Sequence, residues 1–124
     1  MVQRHNFRKL GIWKDSILLA SDIIKITKGL PDVEKFGLVS QMNRSAVSIP
    51  SNIAEGTARK SNKSFINFLE IALGSAFELE SQLIISNNVE YIKNKEFENL
   101  VNKSQSIQNR IYTFIEKLEK EVKQ

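Results

Sequence analysis

The sequence predicts an all-α protein: an antiparallel, up-down-up-down four-helix bundle whose second helix is kinked by a proline. Three observations predict it. Apolar residues recur at alternating spacings of three and four along most of the chain, the period of a helix with one buried face. The five glycines and two prolines gather near the expected helix ends and do not spread as hairpin turns require. The connections are short, which favours neighbouring helices running in opposite directions. At 124 residues the chain reads as a single four-helix-bundle domain over 1–124, long enough to bury a core without staples. Residues 1–8 are expected to form a flexible basic arm.

A first helix is predicted over residues 12–28, with Trp13, Ile17, Ala20, Ile24 and Thr27 on one stripe and Gly29 with Pro31 as the stop. The second carries Val39, Met42, Ala46, Ile49 and Ile53 and stays in phase across Pro50. Proline has no amide donor and clashes with the carbonyl four residues back, here Ala46, so a helix that continues through it is expected to bend. The third starts at a cap, Ser61 or Asn62, and runs through Phe65, Leu69, Ala72, Ala76, Leu79 and Leu83 to fade at Asn87-Asn88. It also has Phe68, Ile71, Gly74, Ser75 and Phe77 off that stripe, which places it centrally or at an oligomer interface. Gly74 is expected where another backbone comes close. The fourth follows Asn94 through Phe97, Leu100, Ser104, Ile107, Ile111, Phe114, Leu118 and Val122.

Composition excludes several function classes. Without cysteine there is neither a disulfide framework nor a thiolate metal site. The longest apolar run, Ile17–Ala20, is far short of the ~20 residues of a membrane span. Met1–Lys9 is polar and basic and lacks the pattern of a secretory signal, so a cytoplasmic location is expected. The net charge is +4, but residues 1–63 hold eleven Lys/Arg and five Asp/Glu while residues 64–124 hold seven and nine. A basic first half fits a polyanion partner, and equally an ordinary solvated surface.

Chemistry-bearing patterns are few. The single histidine, His5, lies in the basic arm and is expected to be exposed; a serine triad, paired Glu-x-x-His motifs and glycine-rich phosphate loops are missing. Glu55, Glu70, Glu78 and Glu80 sit near the middle of helices with nothing to set two of them across a cleft, so no enzyme, metal or cofactor is expected. A polar stripe of Gln41, Arg44, Ser45, Ser48, Asn52, Glu55 and Arg59 lies opposite the apolar series of the second helix. Within it Ser48, Pro50, Ser51, Asn52 and Glu55 form the kink motif. Either the hydroxyls and amide satisfy the freed Ala46 carbonyl and the motif is structural, or the polar face is a site.

Beyond it, Thr57-Ala58-Arg59-Lys60-Ser61-Asn62-Lys63 opens directly into the third helix. Free amides at a helix start beside three cations suit a phosphate group, and a capped interhelical loop has the same composition. The candidate nucleic-acid contacts are Arg44, Arg59, Lys60 and Lys63, joined by Arg8 and Lys9, with Arg4, if the arm folds back. Phe36, Phe65, Phe68, Phe97, Phe114 and Trp13 read as core aromatics, and only Phe7 and Tyr91 stay open as base platforms.

Three segments carry a family resemblance: FRKLGIWK from Phe7, GLVSQMNRSAVSIPSNIAEGTAR from Gly37 and FINFLEIALGSAFELESQL from Phe65. Over about residues 7–92 the chain resembles the four-helix-bundle proteins encoded in 23S ribosomal RNA intervening sequences. Those usually have two adjacent arginines where this chain has Met42-Asn43-Arg44-Ser45-Ala46, so only Arg44 carries over. The resemblance implies a left-handed antiparallel bundle in homopentamers. It also implies kinship with accessory proteins of diversity-generating retroelements, which bind nucleic acid and a reverse transcriptase. The function expected is a homo-oligomeric, non-enzymatic adaptor on RNA or DNA phosphates. The alternative is a structural or protein-interaction module with a partner protein.

Overall fold

Four α-helices account for most of the residues that the computed structural model describes, 5–123. They are α1 (Gly11–Thr27), α2 (Leu38–Thr57), α3 (Asn62–Asn88) and α4 (Asn94–Lys123), with 3-10 turns over Phe7–Lys9 and Asp32–Glu34 and no strand among the described residues. Residues 1–4 of the expected arm, Arg4 included, lie outside the described residues.

Local chemistry sets the boundaries. Ser61 is extended and its Oγ accepts from the Ser64 amide at 3.1 Å, so α3 begins on a serine cap. At the end of α1 the Thr27 hydroxyl reaches the Ile24 carbonyl (3.0 Å) and Asn43 Oδ1 (3.1 Å), which fastens that end to α2. Between α3 and α4, Glu90 takes a left-handed φ of 68°, unusual for a residue with a Cβ. Asn87 braces the turn, its Nδ2 donating to the Ile92 carbonyl (3.0 Å) and Asn94 Oδ1 (2.8 Å). Tyr91 Oη donates to Glu34 Oε2 at 3.0 Å and so ties the α3–α4 connection to the α1–α2 connection. That carboxylate, with some loss of solvation, raises the Tyr91 phenol above its ordinary value.

Each helix packs on the next in sequence and α4 returns to α1, with no close backbone approach across the diagonals among the described residues. This closed ring is the packing of a bundle. Its core is Leu19 and Ile23 of α1, Met42, Ala46, Ile49 and Ile53 of α2, Leu69, Leu79 and Leu83 of α3, and Ile107, Ile111 and Leu118 of α4, all essentially without exposure. Burying each Leu or Ile contributes about 1.5–3 kcal/mol, so a leucine-to-alanine change in this set costs about 2–5 kcal/mol.

The structure corrects several sequence expectations. In α1 the buried face is Ile12, Ser16, Leu19, Ala20, Ile23 and Thr27, whereas Ile17 and Ile24 are 39% and 40% exposed. Val122 of α4 is also exposed, and Ile115 is buried in the last turns. Phe36 is no core aromatic: it is 89% exposed. His5 is not free but half-buried, its ring 5.5 Å from Phe65 and 5.4 Å from Phe114. Gly74 meets no close backbone, since a Cβ there finds nothing within 4 Å. The tight approach is at Gly56, where a Cβ would fall 2.7 Å from Phe65 Cδ1 and 3.0 Å from Phe68 Cβ.

Candidate nucleic-acid interface

The Gly56 contact lets the last turn of α2 lie against the first turns of α3, and the chain reverses between them over Ala58–Ser61. Arg59, Lys60 and Lys63 are therefore displayed together at one corner, all exposed. Arg59 is partly engaged: its guanidinium reaches Glu55 Oε1 at 3.3 Å and stacks 4.4 Å from the Phe68 ring centre. Lys60 and Lys63 have no ion pair among the described residues. Lys63 borders a groove that also holds Glu70 and Glu119, which softens the positive potential on that side.

The expected second contribution arrives from the N-terminal segment. Asn6 caps the Phe7–Lys9 turn by accepting from the Arg8 amide at 3.1 Å, and Phe7 packs edge-on against Trp13 at 5.1 Å. The turn lies on α1 and α2, and His5 just before it reaches Phe65 in the first turn of α3. Arg8 and Lys9 thus stand at the same end of the bundle as Arg59, Lys60 and Lys63. Arg8 spends part of its charge over the Phe7 ring, 4.4 Å from its centre, so Phe7 is occupied on both sides.

Arg44 is placed elsewhere. It lies thirteen residues before Thr57, the last residue of α2, so ~20 Å of helix separates it from the loop that carries Arg59. It borders a cleft between α2 and α3 with Gln41 and Ser48 on its own helix and Ser75, Glu78 and Gln82 opposite. Sequence reasoning singled out Ser75 and Glu78 separately but missed Gln82, although the three repeat at spacings of three and four beside the apolar stripe.

The kink motif has a definite bonding pattern. α2 continues through a buried Pro50 to Thr57. Asn52 Nδ2 donates to the Ser48 carbonyl (2.8 Å) and Ser48 Oγ (2.9 Å), and Ser48 Oγ shares a hydrogen with Ser75 Oγ at 2.8 Å. These bonds link α2 to α3 and do not run to the Ala46 carbonyl. Ser51 is exposed and Glu55 faces Arg59.

The expected glutamates are dispersed: Glu55 pairs with Arg59, Glu80 accepts from Gln108 Nε2 at 2.9 Å, and Glu70 and Glu78 lie on separate surfaces. No group of three or more His, Cys, Asp or Glu suited to a metal occurs among the described residues.

Comparison with known proteins adds three findings. No curated protein matches the chain. A crystal structure of a protein of unknown function from the S23 ribosomal protein family of Bacteroides thetaiotaomicron is 33% identical, covers 84% of this chain and 97% of its own, and superposes with a TM-score of 0.79. The model of the 23S rRNA-intervening sequence protein family matches residues 8–113, from the basic turn through most of α4. The chain belongs to that family.

Proposed function

We propose that this protein is a non-enzymatic, homo-oligomeric adaptor in the cytoplasm that holds RNA or DNA by its phosphates. The observation that carries this reading is the cluster of cations at the α2–α3 connection and the neighbouring N-terminal turn. There Arg8, Lys9, Lys60 and Lys63 are exposed without ion pairs among the described residues, beside Arg59 and the start of α3, where Asn62 also holds the Glu121 carboxylate at 2.9 Å. The oligomeric part draws support from α3, where Phe77 (53% exposed) and Ile84 stay uncovered on one flank and Ile71 (50%) on the other. Repeating a weak patch around an assembly multiplies its affinity whenever one strand spans neighbouring subunits.

The test is a titration of labelled single- and double-stranded RNA and DNA across a salt series. Four phosphate contacts per subunit give a fall of about 50-fold for single strands and about 150-fold for duplex between about 50 and 200 mM salt. Lys60→Ala/Lys63→Ala leaves the Arg59 contacts untouched and should halve the slope. Binding that ignores salt would refute the phosphate reading. No binding at all favours the second reading, a protein-interaction module docking through the exposed Phe77 and Ile84 of α3.

A further inference from the structure

Neighbouring helices of a bundle normally meet through apolar side chains, yet along part of the α2–α3 seam both faces are polar. Gln41, Arg44 and Ser48 of α2 and Ser75, Glu78 and Gln82 of α3 border a cleft of about 450 Å³, within the ~300–1,000 Å³ of small-molecule pockets. Gln82 is only 9% exposed, and its Oε1 is buried without a hydrogen-bond partner in the protein. Such a group destabilises the fold unless something in the cleft meets it.

The hydroxyls add a second unspent group. Ser16, Ser21, Ser81 and Ser86 all donate to the carbonyl four residues back, the usual outlet of a helical serine. Ser48 and Ser75 instead share one hydrogen bond with each other, while Ser48 Oγ also accepts from Asn52. Two hydroxyls joined by one bond leave one O–H proton over, at the floor of the cleft. Arg44 and Glu78 bring opposite charges to this cleft without forming an ion pair.

The two charges are sorted by helix, Arg44 on α2 and Glu78 on α3. Arg44, Gln41 and the spare hydroxyl proton offer hydrogens toward an anionic oxygen; Glu78 and Gln82 Oε1, one turn apart on α3, offer oxygens toward an ammonium. Arg44 disfavours a plain amine, and Glu78 with Gln82 disfavours a plain phosphate or carboxylate. No aromatic ring lines the space for a nucleobase, and no apolar side chain lines it for a large hydrophobic group. We propose that the α2–α3 cleft binds a free α-amino acid with a small or polar side chain, its carboxylate on Arg44 and the serine hydroxyl and its ammonium between Glu78 and Gln82.

The test is calorimetry on the full chain with the common free amino acids, beside acetate and methylamine as the two halves of the zwitterion. Saturable binding of at least one small or polar amino acid below about 10 mM is expected, with neither half binding in that range. Arg44→Gln and Glu78→Gln, both surface changes that keep the fold, should each weaken it about tenfold to a hundredfold, the loss of one charged hydrogen bond. Gln82→Leu should abolish it while raising the melting temperature, because it removes the unmet buried amide. The proposal is overturned if no amino acid binds, if acetate or methylamine binds as well as the zwitterion, or if both charge-removing variants bind like the parent.

Discussion

Gly56→Ala adds a single methyl group where α2 meets α3. The glycine has no positive φ, so the change brings no backbone strain, and in a free helix alanine would be the better residue by about 1 kcal/mol. The added Cβ would nevertheless lie 2.7 Å from Phe65 Cδ1, 3.1 Å from Phe65 Cε1 and 3.0 Å from Phe68 Cβ. Phe65 has little room to retreat: it is 3% exposed and held between the rings of His5 and Phe114. Phe68 would have to move at its Cβ, which moves the α3 backbone. Overpacking of this sort costs about 1–3 kcal/mol, and the rigid surroundings favour the upper half of that range. Net of the helical preference, the loss is about 1–2 kcal/mol. With an unfolding entropy of about 2.1 cal/mol/K per residue, this lowers the melting temperature by about 4–8 °C. Gly74→Ala is the internal control, since its methyl meets nothing in the chain and should stabilise by up to about 1 kcal/mol. Urea denaturation followed by circular dichroism measures both at constant m-value. A Gly56→Ala protein as stable as the parent would refute the argument. A destabilised Gly74→Ala whose loss grows with protein concentration would instead reveal a second chain packed on that face of α3.

Two smaller perturbations follow from single hydrogen bonds. Ser61→Ala removes the only side-chain cap on α3 and should cost about 1 kcal/mol, or about 4 °C, and Ser61→Asp should restore it; thermal melts of the three proteins check this. Glu34→Gln should bring the Tyr91 phenol down toward its ordinary value near 10, read as tyrosinate absorbance in a Tyr112→Phe background. Because the folded-state value is raised, the parent's Tyr91 contribution is complete below pH 10 and fades as pH climbs through the raised value. The variant should lack that alkaline decline, and an unchanged Tyr91 titration would show that the Glu34 bond is not made in solution.

The α3 stripe was readable because each member, Phe65 to Leu83, is apolar at a spacing of three or four, and each is buried. α1 was harder because Ile12, Trp13, Ile17, Leu18, Leu19, Ile23 and Ile24 surround the helix, so periodicity allows more than one face. The face chosen by the fold includes Ser16, which reads as polar but is fully buried with its hydroxyl on the Ile12 carbonyl. Bonded in that way, a serine behaves as a small core residue, and Ser86 and Ser104 are buried similarly. At the basic end, Arg59, Lys60 and Lys63 were visible as neighbours in sequence. Their approach to Arg8 and Lys9 depends on His5 docking between Phe65 and Phe114, a contact spanning sixty residues or more that no local pattern encodes. Arg44 was grouped with them by its charge, its place on the polar stripe and its match to the family's basic position, and most of the length of α2 separates it from them.

The ring of helices has one seam unlike the others. Three of its contacts join helices that are consecutive in the chain, whereas α1 and α4 meet across sequence separations of 81 and 95 residues at Lys103–Asp22 and Arg110–Asp15. Both of those pairs are exposed, so salt screens them and each contributes little. In kinetic terms, the three sequential interfaces should close first and the α1–α4 seam last, because among the helix pairs it joins the parts of the chain farthest apart in sequence. The order should reverse on opening: α1 detaches before α2 and α3 separate, its amides exchange with solvent soonest, and added salt hastens that release while leaving the α2–α3 pair protected.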